Sequence, residues 1–357
     1  MSTINYTVHN QVGVIRLNAP KSLNSLGLEM ILSMQKILDR TKADPSIKCL
    51  IFESEGEKAF CAGGDVVSLY KSMIDKTSYG TDFFKLEYSL DLSIHQYPKP
   101  IIAFAKGITM GGGIGISVGA SFRLVTPSTK MAMPEITIGL FTDVGATHFL
   151  NNVHPHVGKF VALTGCRLNP ADCLFLKLAD SFVLNEQLQE IKSKILDLNW
   201  SGSNQENYNI LSRTLHPFIE TASPSLPISN LQENLSIIKE ITQHQTIEEL
   251  DSHWRKLDLS KYPEFISKSL STYFSGSPTS AAVIFEQLNR GAKGISIEQA
   301  LQMELIMAHN FTRAHDFKEG VRALLIDKDA KPNWQPRLLS EISQQQVQEY
   351  FHEGGVK

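Results

Sequence analysis

The chain has 357 residues, 42% of them hydrophobic and 20% charged, with a net charge of −3; that length suits one large domain with an appendage, or two domains. The balance argues against the strongly basic surface of a nucleic-acid-binding domain, and no apolar run is long enough to span a bilayer, so no nucleic acid and no membrane are expected as partners. Cys49, Cys61, Cys166 and Cys173 lack CxxC spacing and read as reduced thiols, neither a disulfide framework nor a metal site, and MSTINYTVHN lacks a secretory or Arg-rich address, which makes the cytoplasm the expected location.

The first segment alternates: Ile4, Tyr6 and Val8, a polar break at Asn10 and Gln11, then Val12, Val14, Ile15 and Leu17. This predicts a β-hairpin. Leu28 to Leu38 carries apolar residues at helical spacing, and Cys49 to Phe52 is a short apolar strand. A glycine-containing loop precedes a predicted helix from Asp65 to Met73. Residues 82 to 96 predict another helix, stopped by the two prolines of Tyr97-Pro98-Lys99-Pro100. Ile101 to Ala105 reads as a buried strand. Gly107 to Phe122, with six glycines and no charge, reads as a tight turn into a buried helix, and Arg123 to Thr126 and Lys130 to Met133 as strands. Strands alternating with helices predict an α/β fold. Residues 200 to 229 are rich in Ser, Asn and Pro and predict a linker. Beyond it the pattern is helical over Leu231 to Thr242, Thr246 to Leu257, Ser280 to Asn289 and Ile297 to Ala308. The expected organisation is therefore a core over residues 1–225 and a mainly helical region over 226–357.

Three features carry chemistry. In GITMGGGIGISVG, residues 107 to 119, a helix opening at Gly111 to Gly113 would present unpaired N–H groups and the positive end of its dipole to an oxyanion. Small residues that allow tight packing are the alternative reading. No Gly-Lys-Ser/Thr follows, and the glycine spacing is not that of a dinucleotide site. Gly115-Ile116-Ser117-Val118-Gly119 matches G-x-S-x-G, but the triple glycine already occupies the strand-to-helix turn, which puts Ser117 inside the helix instead of at a nucleophile elbow.

The second feature is KAFCAGGDV, residues 58 to 66, whose Gly63 and Gly64 could also offer N–H groups. Asp65 is placed to cap the following helix. Cys61 reads as a small buried residue, since no histidine is near it in sequence to act as its base. The third is AMPEITIGLFTDVG, residues 132 to 145. Glu135 and Asp143 are the only charged residues between Met131 and Gly158. Their neighbours Ile136, Ile138, Leu140, Phe141 and Val144 predict burial, and burial raises a carboxyl pKa.

Together these stretches resemble the crotonase (enoyl-CoA hydratase/isomerase) superfamily. KAFCAGGDV looks like its first oxyanion loop, GITMGGGIG like its second, and LTGCRLNPADCLFLKLADSFV, residues 163 to 183, like the segment after its active site. The resemblance implies a ββα spiral core that binds acyl-coenzyme A, with the thioester carbonyl between the N–H groups of Gly64 and Gly112. The loop residues Ala62, Gly63, Asp65 and Gly111 are then expected at the substrate. The chain departs from the hydratase pattern, which carries glutamates three and twenty-three residues after the second oxyanion glycine: here those positions are Gly115 and Glu135. Asp143 appears instead, eight residues beyond Glu135.

That arrangement resembles the 3-hydroxyisobutyryl-CoA hydrolase branch. MPEITIGLFTDVG, SPTS at 277 to 280 and DFKEGVRALLIDKDAKPNW at 316 to 334 are similar to it. So is FFKLEY at 83 to 88, where the branch places a substrate-contacting glutamate at Glu87, on the apolar stripe Phe83, Glu87, Leu90 and Ile94. The expectation is thioester hydrolysis of a branched 3-hydroxyacyl-CoA from valine breakdown. The two amides polarise the carbonyl, Glu135 attacks it or activates water, and Asp143 orients the substrate hydroxyl or moves a proton. No metal or redox cofactor is called for; acyl-coenzyme A is the substrate. The rival readings are a double-bond isomerase or hydratase of unsaturated acyl-CoA, and an acyl-CoA-binding protein without chemistry. A homo-oligomer is left open: the superfamily core often forms trimers and their dimers, but the long C-terminal region could cover those surfaces.

Overall fold

The computed structural model describes residues 3–356. They form two compact units interleaved along the chain. The first holds the chain up to Gly64, then Ser89–Met131 and Leu168–Ser229; the second holds Asp65–Tyr88, Ala132–Arg167 and the chain from Asn230 onward.

The strands in chain order are β1 (Ile4–His9), β2 (Val12–Leu17), β3 (Cys49–Ser54), β4 (Ala59–Cys61), β5 (Ile101–Ala105), β6 (Ile108–Met110), β7 (Phe122–Val125), β8 (Lys130–Ala132) and β9 (Ser181–Phe182). β1 and β2 form the expected hairpin, Ile4 opposite Leu17. Asn10 and Gln11 turn it with φ of 42° and 69°, the doubly positive pair that matches strand twist in a two-residue loop. From β2 the large sheet continues in parallel, in the order β1-β2-β3-β5-β7-β9. A second sheet has the order β4-β6-β8.

One face of the large sheet buries Val12, Val14, Cys49, Ile51, Ile102, Phe104 and Leu124 against Ile191, Ile195, Leu211, Leu215 and Phe218. The last three correct the expected linker: Asn204–Ala222 is a helix. Its apolar positions 211, 215, 218 and 222 recur at helical spacing and are buried, and Ser203 caps it by accepting from the Glu206 amide. Buried Asn207 holds the preceding turn by exchanging hydrogen bonds with Ser201. Of the other residues that suggested a loop, Asn204, Asn209, Ser212 and Pro217 are exposed.

The second unit is mainly helical. Helices Leu235–Ile241, Ile247–Arg255, Glu264–Ser275, Pro278–Gly291, Ile297–Phe311 and His315–Val321 build most of it. The expected helix over 231–242 is broken at Asn234 into two short ones. Trp254, fully buried, donates its Nε1–H to the Ile241 carbonyl at 2.6 Å and meets Tyr273 edge to face at 4.7 Å. Helix Tyr79–His95 buries Phe83, Glu87, Leu90 and Ile94, the predicted stripe, but also Phe84, Tyr88 and Asp91. Among the described residues no helix is long and apolar enough to cross a membrane.

Candidate active site

In the first unit, parallel pairing of β4 with β6 (Ala59 opposite Ile108, Cys61 opposite Thr109) brings the two glycine loops side by side. The approach is close enough to exclude side chains. A Cβ on Gly113 would meet the Cys61 carbonyl oxygen at 2.2 Å; one on Gly63, at φ +107°, would lie 3.3 Å from the Met110 oxygen and 3.9 Å from the Gly112 nitrogen. Gly111, at φ 47°, turns the chain into helix Gly112–Val118. The Ile114 and Gly115 amides both return to the Gly111 carbonyl. The Gly112 amide, at the first helical position, has no acceptor within the helix. The first loop is fixed from behind, where Leu26 N–H donates to Gly63 O at 2.8 Å and Ala62 N–H donates to Leu23 O at 3.0 Å.

Ser117 lies inside this helix, buried, and its hydroxyl donates to the Ile114 carbonyl. It is held as a helix residue and not presented at an elbow. Cys61 is buried, as are the other three thiols.

The second unit holds the acids. Asp65 caps helix Val66–Asp75, and both its oxygens are engaged by Ser68, through the amide at 3.1 Å and the hydroxyl at 2.6 Å. Glu135 opens the 3₁₀ turn Glu135–Ile138, after Pro134. Glu135 and Asp143 are each only 5% exposed, and neither is ion-paired among the described residues. Glu135 Oε2 is buried without a hydrogen-bond partner. Burial first, and then the charge of Asp143, push the Glu135 carboxyl well above the usual range. Burial also raises Asp143, against the lowering effect of the Tyr88 hydroxyl, which donates to Asp143 Oδ2 at 3.0 Å. Two acids sharing a dry site do not both ionise readily, so one can hold a proton while the other acts as base. Glu87 is buried beside Tyr88 in sequence, and its charge helps raise the Tyr88 phenol.

Several residues around the acids were not singled out from the sequence. Val144, directly after Asp143, has φ +53°, a strained conformation for a β-branched residue. The loop on either side of it is tied to Glu304 and Gln287. Tyr88 reads in sequence as one more apolar helix residue, and Glu304 as a solvent-facing charge.

The turn carrying Glu135 is seated by the regions that looked like family signatures. Ser277 N–H donates to Ile136 O at 3.0 Å, and Ser277 Oγ donates to Asp316 Oδ2 at 2.6 Å. Gly139 and Gly320 allow two chain segments to touch: a Cβ on Gly139 would meet the Asp316 carbonyl oxygen at 2.2 Å, and one on Gly320 the Ile138 carbonyl carbon at 2.3 Å. SPTS and DFKEG therefore do structural work beneath Glu135.

Residues 12–351 match the family model described as "Enoyl-CoA hydratase/isomerase". The chain is 38% identical over 339 residues to the mitochondrial 3-hydroxyisobutyryl-CoA hydrolase of Gallus gallus, covering 95% of this chain and 86% of the relative. It is 36% identical over 341 residues to the enzyme of the same name from Danio rerio, covering 96% and 87%. A crystal structure titled carnitinyl-CoA dehydratase, from Mycobacterium thermoresistibile, superimposes with a TM-score of 0.88 at 30% identity, covering 99% of this chain and 97% of that one. The α/β fold and the helical C-terminal region are shared over almost the whole length of both.

Proposed function

The chain belongs to the enoyl-CoA hydratase/isomerase (crotonase) family, and on that premise we propose that it hydrolyses an acyl-CoA thioester, with 3-hydroxyisobutyryl-CoA, an intermediate of valine breakdown, as the substrate. The observation that carries this reading is the buried Glu135–Asp143 pair with an unpartnered Glu135 oxygen, in a chain that has Gly115 where a hydratase needs its first glutamate. The identity to relatives named for this hydrolysis supports it.

In this scheme the Gly64 and Gly112 amides stabilise the oxyanion as the thioester carbon becomes tetrahedral. Glu135 forms the new bond to that carbon directly, giving a mixed anhydride that water then cleaves to release the acid and restore Glu135, or it takes a proton from a water that attacks the carbon itself. The C–S bond breaks, and the departing thiolate receives a proton from the acid pair; overall, thioester and water give carboxylic acid and free thiol. Asp143, with Tyr88 on it, takes the substrate hydroxyl. Glu87 contacts the substrate from the same unit. Ala62, Gly63, Asp65 and Gly111 shape the loops that carry the amides.

A pocket of about 300 Å³ in the first unit, lined by Pro20, Lys21, Leu23, Asn24 and Lys58–Ala59 at the root of the first glycine loop, suits an anionic nucleotide tail. Its acids Glu55 and Glu57 are paired with Arg16 and Lys106, while Lys21 and Lys58 have no ion pair among the described residues.

The test is thiol release from 3-hydroxyisobutyryl-CoA by wild type, Glu135→Gln and Ser117→Ala. Wild type and Ser117→Ala are expected to turn over alike, and Glu135→Gln to lose about 10³-fold or more in kcat, the scale of losing an essential nucleophile or base. Loss in Ser117→Ala alone restores the serine-elbow reading. No thiol release by wild type, with or without isomerised product, ends the hydrolase reading. Single turnover in ¹⁸O-water then separates the routes, since only direct attack carries label into Glu135.

A further inference from the structure

We propose that Glu304 is a positioning residue: it clamps the loop 142–147 so that Asp143 is held at its working place. This rests on the hydrolase reading for what Asp143 does, and on the structure for how it is held. Glu304 projects from helix Ile297–Phe311, is 0% exposed, and has no ion pair among the described residues. It faces donors at both oxygens. Oε2 accepts from the Gly145 amide at 2.7 Å, and Oε1 accepts from the Thr147 amide at 2.9 Å and the Thr147 hydroxyl at 2.6 Å.

Gln287, fully buried on helix Pro278–Gly291, completes the clamp. Its Nε2 donates to the Thr142 carbonyl at 2.6 Å and to Thr147 Oγ at 2.8 Å. The loop is thus gripped at Thr142 before Asp143 and at Gly145 just beyond Val144. Between those grips Val144 sits at φ +53°. A conformation of that kind persists only where its surroundings over-determine it.

The chemistry of the clamp explains why a carboxyl group stands here. An amide is cheaper to bury, but only one of its two ends accepts hydrogen bonds, whereas the ionised carboxylate, the form favoured as the pH rises through about 8, accepts at both. Replacing Glu304 by Gln turns an NH₂ group toward the Gly145 N–H and orphans that donor. The fold survives such a change more readily than a loop whose placement matters to within an ångström, where misplacement can cost about 10²-fold in rate.

The experiment compares Glu304→Gln and Thr147→Val with wild type in steady-state thiol release and in amide hydrogen exchange over residues 142–149. For Glu304→Gln we expect kcat to fall about 10- to 100-fold with KM within about threefold, and Gly145 and Thr147 to lose protection while the rest of the second unit keeps its own. Thr147→Val keeps both amides and the side-chain shape, and is expected to lose about 3- to 10-fold in kcat; it decides the matter should Glu304→Gln not fold. Unchanged kcat, an equal collapse of kcat and affinity, or unchanged local exchange in the folded variant overturns the clamp. If wild type releases no thiol, the hydrolase reading falls, and the exchange measurement alone still decides whether Glu304 holds the loop.

Discussion

Asp143 can take part in proton transfer near neutrality only if its ionised form is within reach, and Tyr88 governs that reach. Burial raises the Asp143 carboxyl, and the Tyr88 hydroxyl at 3.0 Å opposes it by donating to the charged form. A hydrogen bond to an ionised group contributes about 1.5–3 kcal/mol, and about 1.4 kcal/mol corresponds to one pH unit of titration. Tyr88→Phe should therefore move the ascending limb of the pH–kcat profile upward by about one to two units, with the fold intact. A limb that stays in place would show that Asp143 does not titrate in turnover. The sequence exposed this acid pair because a long uncharged stretch kept two carboxylates. It hid Tyr88, since a tyrosine among apolar helix residues has the same spacing whether it only packs or also donates a proton.

At the level of elements, Ser277 ties three features together. It caps helix Pro278–Gly291 by accepting from the Ser280 amide at 3.0 Å, donates to buried Asp316, and carries the amide that holds the Glu135 turn. Losing a serine cap costs about 1 kcal/mol, and leaving a buried acceptor unsatisfied costs about 1–3 kcal/mol. Ser277→Ala should thus lower unfolding stability by about 2–4 kcal/mol, read as a shift in urea midpoint with unchanged slope. A loss below about 1 kcal/mol would mean that Asp316 finds another donor. The glycine loops were legible because glycine is the residue that such close approach demands. Helix Asn204–Ala222 was not, because Ser, Asn and Pro recur through the wider stretch 200–229 while only every third or fourth residue of the helix packs. The work of SPTS and DFKEG was also invisible, since a stretch read alone does not show which segment 140 or 180 residues away it supports.

The molecule as a whole is built from two units that each draw on several separate stretches of chain, and the second places Glu135, Asp143, Glu304 and Asp316 in its dry interior without ion-pair partners among the described residues. Glu135, Asp143 and Glu304 are all shifted upward with burial as the largest cause, Glu304 to about 8 against the opposing pull of Thr147 and Gly145. A carboxyl group whose folded value exceeds its unfolded one binds its proton more tightly in the folded state. Its contribution to stability is complete below the unfolded value near 4.5 and is lost as the pH rises through the folded value. Between pH 7 and 8.5 this effect is isolated. The half-buried histidines His156, His253 and His309 are lowered from 6.5 and already neutral there, and the buried thiols Cys49 and Cys173 are raised and not yet titrating. The melting temperature of the wild type should accordingly fall from pH 7 to pH 8.5, and Glu304→Gln, which has no proton to lose, should show a visibly shallower fall. A wild-type melting temperature that is flat or rises over this interval would mean that Glu304 is ionised throughout, held so by its three donors. In that case its clamp on the Asp143 loop operates as a full negative charge, and the acid pair must do its proton chemistry beside that charge.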